Sequence, residues 1–145
     1  DATRSVLVAR PPKGEIWHPS RILVGVDGST FSLEALSAAD DLTARLGSAV
    51  EVVAATGGKP LEREGAWAER VTEWDSRHAF AALRERSAEA DLVILGSRGL
   101  HGVRALGSVS ERVAHGARCS VLVVPPLPGA HSTGGTETDA ASLER

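Results

Sequence analysis

The sequence predicts an α/β fold, an open doubly wound parallel sheet, and three observations carry that reading. Apolar runs bounded by turn residues recur at 21–29, 49–55, 91–96 and 120–124, the pattern of strands buried on both faces. Stretches with helical spacing stand between them. Strands that alternate with helices pair in parallel through right-handed crossovers.

Taken in order, RSVLVARPP (4–12) supplies an extra N-terminal strand. RILVGVDGS (21–29) is the first strand of the main sheet. The helix after it carries Leu33, Leu36, Ala39, Leu42 and Leu46 at helical spacing, with Ser29 or Thr30 placed to cap it and Gly47 to end it. AVEVVAA (49–55) is the second strand, and RVTEW (70–74) a weaker third. The polar connection between them, 56–69, has 14 residues, little more than the roughly dozen that a parallel crossover needs, so it has room for only a turn or two of helix around Leu61–Trp67. One face of the sheet is then thinly covered, with Trp67 and Trp74 available to fill it. Residues 76–88 read as a helix with Phe80 and Leu83 facing inward, and Arg84 and Arg86 on a solvated side. DLVILG (91–96), a short helix at Ser108–His115 and SVLVV (120–124) complete the pattern.

The chain has 145 residues, 42% hydrophobic and 24% charged, in the range of ordinary globular proteins and enough for one substantial core. A net charge of −3 offers no general attraction for nucleic acid or an anionic membrane. No apolar run approaches the roughly 18–20 residues that span a bilayer. Cys119 is the single cysteine, and neither CxxC nor HExxH occurs, so no internal disulfide or zinc pattern is expected. His18, His78 and His131 lack metal-ligand spacing. These features predict a cytoplasmic protein with no metal of its own and no nucleic-acid or membrane partner. Methionine is absent, so Asp1 is not expected to be a natural start.

Ser5-Val6-Leu7-Val8 repeats as Ser120-Val121-Leu122-Val123, each copy followed by Pro-Pro. The repeat predicts that residues 1–19 are a strand and linker ending a preceding homologous domain. Residues 20–126 then form the α/β domain of a tandem protein. The Gly/Ser/Thr/Pro-rich segment 127–145 has no periodicity and reads as a disordered tail.

Function is sought at the carboxyl ends of the strands, where open parallel sheets bind ligands. Gly96 and Asp27 each end a strand, and Gly99 and Gly107 follow in LGSRGLHGVRALGSVSE. Glycines there let backbone amides approach an anion. Gly107 leads into a helix start marked by Ser108 and Glu111 in the spacing of a capping box. Arg98, His101 and Arg104 are within reach of phosphate oxygens. The same glycines also suit plain turns, the same box caps a helix with or without a ligand, and Asp27 suits a capping carboxylate. Both readings remain open on spacing alone.

RILVGVDGS, ADLVILGSRG and LGSVSERVAHGARCSVLVV closely resemble the universal stress protein family, over residues 20–56 and 70–125. In its ATP-binding branch two glycines three positions apart are followed, nine residues on, by Gly-Ser or Gly-Thr. Gly96 and Gly99 match the first half and Gly107-Ser108 the second, with seven intervening residues in place of nine. The resemblance implies the strand order 3-2-1-4-5 and a site for ATP, accompanied by Mg²⁺ or Mn²⁺. In that site Gly25, Val26 and Ala54 lie near adenine and ribose, and Asp27 near the ribose or metal-bound phosphates. Gly96, Gly99, Gly107, Ser108 and Val109 bind ribose and phosphates. It also implies pairing with a second copy, or with the preceding domain, through Ser120–Val124.

Cys119 reads as buried packing, and Ser97 and Ser110 as phosphoacceptors or turn residues. No nucleophile, base and acid assemble from spacing, so no catalytic residue is assigned and ATP hydrolysis rests on the resemblance alone. Two functions follow: a stress-response regulatory domain that binds ATP or a related adenine nucleotide, or a nucleotide-independent dimerisation and protein-interaction module of the same fold.

Overall fold

The computed structural model describes residues 4–97 and 108–125. The apolar run after Ser20 becomes β2 (Arg21–Val26), a strand at the middle of a six-stranded sheet. Ile22, Leu23 and Val24 are at most 1% exposed, because both faces of this strand are covered. β3 (Ala49–Ala55) and β5 (Leu92–Gly96) pair with it in parallel on either side. β4 (Glu73–Asp75) adds in parallel to β3, and β6 (Ser120–Val124) to β5. β1 (Val6–Val8) then pairs antiparallel with β6, giving the order β1-β6-β5-β2-β3-β4. The sheet is therefore mixed and mostly parallel.

The first helix, α1 (Thr30–Leu46), starts where Ser29 Oγ accepts the amide of Ser32 at 3.2 Å. It stops at Gly47, whose φ of 72° lets its amide reach Thr43 O. Its buried stripe is Ser32, Ala35, Leu36 and Ala39, while Leu33 and Leu46 face outward. The stripe packs with Ile22, Val24, Val26, Val52, Ala54 and Ile94 on one face of the sheet. On the other face, α3 (Ala79–Arg86) and α4 (Ser108–Gly116) cover Leu23, Val53, Val93, Leu95, Val121 and Val123.

The short crossover holds one helix, α2 (Ala66–Arg70), a few residues beyond the expected position. Trp67 and Trp74 pack on the α1 side with ring centroids 5.8 Å apart. The Arg63 guanidinium lies 4.2 Å over Trp74, and Arg70 clamps Asp40 of α1 through two bonds of 3.1 and 2.7 Å. β4 is shorter than the 70–74 expectation and starts later: the Thr72 amide still donates to Val52 O at 2.8 Å, but the Thr72 side chain takes the Val52 amide. The Thr72 hydroxyl accepts from Val52 N and donates to Val52 O, each at 2.9 Å.

Arg86 departs from the solvated face read from its helix. At 18% exposure it meets Glu51 of β3 and both Glu73 and Asp75 of β4, at 2.9, 2.6 and 3.4 Å. Asp75 is buried and also takes two bonds from the Arg77 guanidinium, at 3.0 and 2.7 Å, and one from the Arg77 amide at 2.9 Å. The Arg77 guanidinium holds the Asp75 carboxyl well below the usual carboxylate range.

At the amino edge, the N-terminal segment is tied down by Arg10 and Lys13. Arg10 donates to the carbonyls of Ala114, His115 and Cys119 at the end of α4, at 2.6, 3.0 and 3.2 Å. Lys13 Nζ donates to Ser87 O and Ala90 O after α3, at 3.1 and 2.6 Å. Ala114 and His115 carry carbonyls of the kind a helix end leaves unpaired, while Ser87 O also accepts the Ala90 amide. Among the described residues no helix is long and apolar enough to cross a membrane.

Candidate nucleotide site at the carboxyl edge

The strand order puts the carboxyl ends of β2 and β5 side by side, and α1 leaves from one while α4 precedes the strand beyond the other. Between them opens a cavity of about 460 Å³, within the range of small-molecule sites. Of the residues singled out in the sequence, Gly25, Val26, Asp27, Gly96 and Val109 line it together. Ala54 does not: its side chain is fully buried in the α1 layer, while Val53, Ala55 and Thr56 line the cavity from the same strand end. The alternation of a strand accounts for this, since successive side chains take opposite faces. Arg98, Gly99 and Gly107 lie outside the described residues, as does the side chain of Ser108. The capping-box pairing with Glu111 and the tail after Pro125 fall there too.

Asp27 shapes the turn into α1. Its Oδ1 accepts the Ser29 amide at 2.9 Å, and its own amide donates to Ser32 Oγ at 3.2 Å. The carboxylate is thus held at the cavity wall by the helix start. Leu83, Leu95 and Val53 give the cavity an apolar floor, and Ser29, Ser32, Ser110 and Thr56 add hydroxyls.

Gly96 has a second reason to be glycine. A Cβ there would stand 2.0 Å from Phe31 O and 2.5 Å from Phe31 C. The backbone of the first turn of α1 presses directly on the end of β5, leaving no space for a side chain. Gly28, with φ at 86°, likewise lies under the ring of Trp67, 2.8 Å from where its Cβ would be.

Sequence reading missed Thr56 and Lys59, which line the cavity from the turn after β3. The signal was available in the T-G-G-K stretch at a strand's carboxyl end, the same logic applied to Asp27 and Gly96. Ser97 and Ser110 are 2% and 3% exposed, which hides both hydroxyls from a modifying enzyme. Cys119 is buried and burial pushes its thiol pKa up, consistent with packing rather than reactivity. Among the described residues no group of three or more His, Cys, Asp or Glu gathers to hold a metal ion.

Comparison with known proteins agrees with this architecture. The Universal stress protein family profile matches residues 58–125. Universal stress protein Rv2005c of Mycobacterium tuberculosis is 35% identical over 130 residues, covering 70% of this chain and 44% of that protein. Universal stress protein A homolog 2 of Coxiella burnetii is 57% identical over 35 residues, covering 23% of this chain and 24% of its own. The chain spans less than half the length of the mycobacterial relative. Among solved structures, a universal stress protein in complex with cAMP superimposes with a TM-score of 0.59 at 28% identity, covering 75% of this chain and 98% of its own. The sheet, the crossovers and these matches agree: the chain belongs to the universal stress protein family.

Proposed function

We propose that this chain is a stress-response regulatory domain that holds an adenine nucleotide, ATP or a relative of it, in the carboxyl-edge cavity. The observation that carries the reading is the convergence of Gly25, Val26, Asp27, Gly96 and Val109 on one cavity of about 460 Å³. The cAMP held by a 28% identical relative supports the ligand class. In this reading the base lies on the apolar floor of Val53, Leu83 and Leu95, and the ribose meets the Asp27 turn. Arg98, Gly99, Gly107 and Ser108 receive the phosphates. Mg²⁺ or Mn²⁺ would arrive with the triphosphate and neutralise part of its charge, with Asp27 the carboxylate nearest to share it. Nucleotide occupancy would change the surface the domain presents to a partner.

Calorimetry with ATP and Mg²⁺, cAMP and adenosine tests this on wild type, Gly107→Val and Ala79→Phe. The last projects a ring into the cavity from the first turn of α3. Binding by wild type that both substitutions abolish, with circular dichroism unchanged, is the expected result. A wild type silent to every adenine compound at millimolar concentration overturns it.

The second reading, a dimerisation and interaction module, has its own observation. Val6, Leu7 and Val8 pair with Val123, Leu122 and Val121, so two identical Val-Leu-Val triplets face each other antiparallel. β1 therefore occupies the β6 edge as the last strand of a second copy, or of a preceding homologous domain, would. Removing residues 1–10 is expected to convert the chain to a dimer in sedimentation equilibrium. A truncated chain that stays monomeric counts against this reading.

A further inference from the structure

Among the described residues, Lys59 is the one cation that lines the carboxyl-edge cavity. It is exposed, and its ammonium makes no hydrogen bond or ion pair with any described residue. Arg77 and Arg86, around β4, are by contrast engaged by Asp75, Glu73, Glu51 and Glu85, and Arg70 by Asp40.

The segment that carries Lys59 is built to hold one position. Thr56 donates its amide to Asp75 O at 2.8 Å, and Gly57 donates to Arg77 O at 3.0 Å, which ties the turn to the end of β4. Gly57 and Gly58 have φ of 66° and 81°, a left-handed path that glycine takes without strain. Gly57 also packs on the His78 ring, where a Cβ would come within 3.2 Å of Nδ1. The amide of Gly58 goes to Thr56 Oγ1 and that of Lys59 to Thr56 O, at 3.3 and 3.2 Å. The turn's amides from Thr56 to Lys59 are thereby taken up inside the protein, so the turn is no anion-binding nest. What it offers the cavity is the ammonium.

Resting on the nucleotide reading above, we propose that Lys59 contacts a phosphate of the bound nucleotide and makes the site prefer a nucleotide over the bare nucleoside. A lysine on the β3 side adds a point charge that can follow phosphate groups of different length. Gly57 and Gly58 let the chain double back so that Lys59 lines the cavity.

The test compares adenosine, AMP and ATP by calorimetry on wild type, Lys59→Met and Lys59→Arg, at two salt concentrations, with tripolyphosphate alone as a further probe. Lys59→Met is expected to weaken AMP and ATP about ten-fold, leave adenosine unchanged and flatten the salt dependence, while Lys59→Arg retains binding. An unchanged ratio of AMP to adenosine affinity in Lys59→Met overturns the proposal and leaves the nucleotide reading standing. If wild type binds no adenine compound, the nucleotide reading fails by itself. The role of Lys59 as an anion contact then stands if tripolyphosphate binding is lost in Lys59→Met, and falls if it is not.

Discussion

The two edges of the sheet use their polar residues in opposite ways. At the amino edge, Arg10 and Lys13 are bonded to helix-end carbonyls, Ser48 Oγ donates to Pro19 O, and the Arg21 amide donates to Asp91. These groups join the N-terminal segment to the body of the fold. At the carboxyl edge the strands end in a cavity, and the Lys59 ammonium faces it without a described partner. The difference teaches that a cation's position in sequence says little about its role. Lys13 and Lys59 are the chain's two lysines; one closes a helix end and the other borders an open site.

The sharpest challenge to this division is Gly96, which lies at the open edge yet is needed for packing. Gly96→Ala is expected to cost at least about 3 kcal/mol, read by urea denaturation, because its Cβ would overlap Phe31 O. Ligand binding would be lost with the fold, so this substitution reports on the scaffold rather than the site. A stable Gly96→Ala protein would mean that the α1 backbone can retreat and that Gly96 serves ligand access alone.

Next in size is Asp75, whose main-chain carbonyl holds the Lys59 turn and whose carboxylate joins Arg77 and Arg86. Replacing it with Asn is expected to cost about 2 kcal/mol at neutral pH. Because the folded carboxyl titrates below its unfolded value, its contribution is fully present above about pH 4. It is lost as the pH falls through the folded value. Wild-type stability should therefore drop in that acid range more steeply than that of Asp75→Asn. Parallel curves for the two proteins would remove Asp75 from the account of acid sensitivity.

Arg10→Met at the amino edge is expected to cost about 1 kcal/mol in thermal unfolding, with nucleotide affinity unchanged. A change in affinity would show that the two edges communicate. The smallest effect belongs to Lys59→Met, whose stability should stay within about 0.5 kcal/mol of wild type while its phosphate preference falls. A larger loss of stability would return Lys59 to the structural class.

The architecture was legible in the sequence because buried parallel strands leave apolar runs that nothing else explains. The mixed, mostly parallel sheet and the long first helix followed from those runs. The exact face of α1 did not: Leu33 and Leu46 were counted into its stripe and face outward, while Ala35 and Ser32 face in. Leucine spacing marked the helix, but the small residues mark where it presses on the sheet. Arg86 was misread for a related reason, since its partners come from β3 and β4 and spacing within one helix cannot reveal them. At the site, Asp27 and Gly96 were found because both end strands. The side chain of Ala54 turns to the α1 layer while its neighbours line the cavity, and Lys59 was missed, because the choice among residues of a strand end depends on register and on the turn that follows.

The contact between Trp67 and Gly28 gives the molecule a property of its own. Gly28 lies between Asp27 and Ser29, both of which line the cavity, so an indole leans on the turn that forms its wall. The chain contains three tryptophans and no tyrosine. Its ultraviolet emission thus comes from few sources, one of them packed on the turn that walls the cavity, so a ligand that shifts that turn is expected to change the emission without any attached dye.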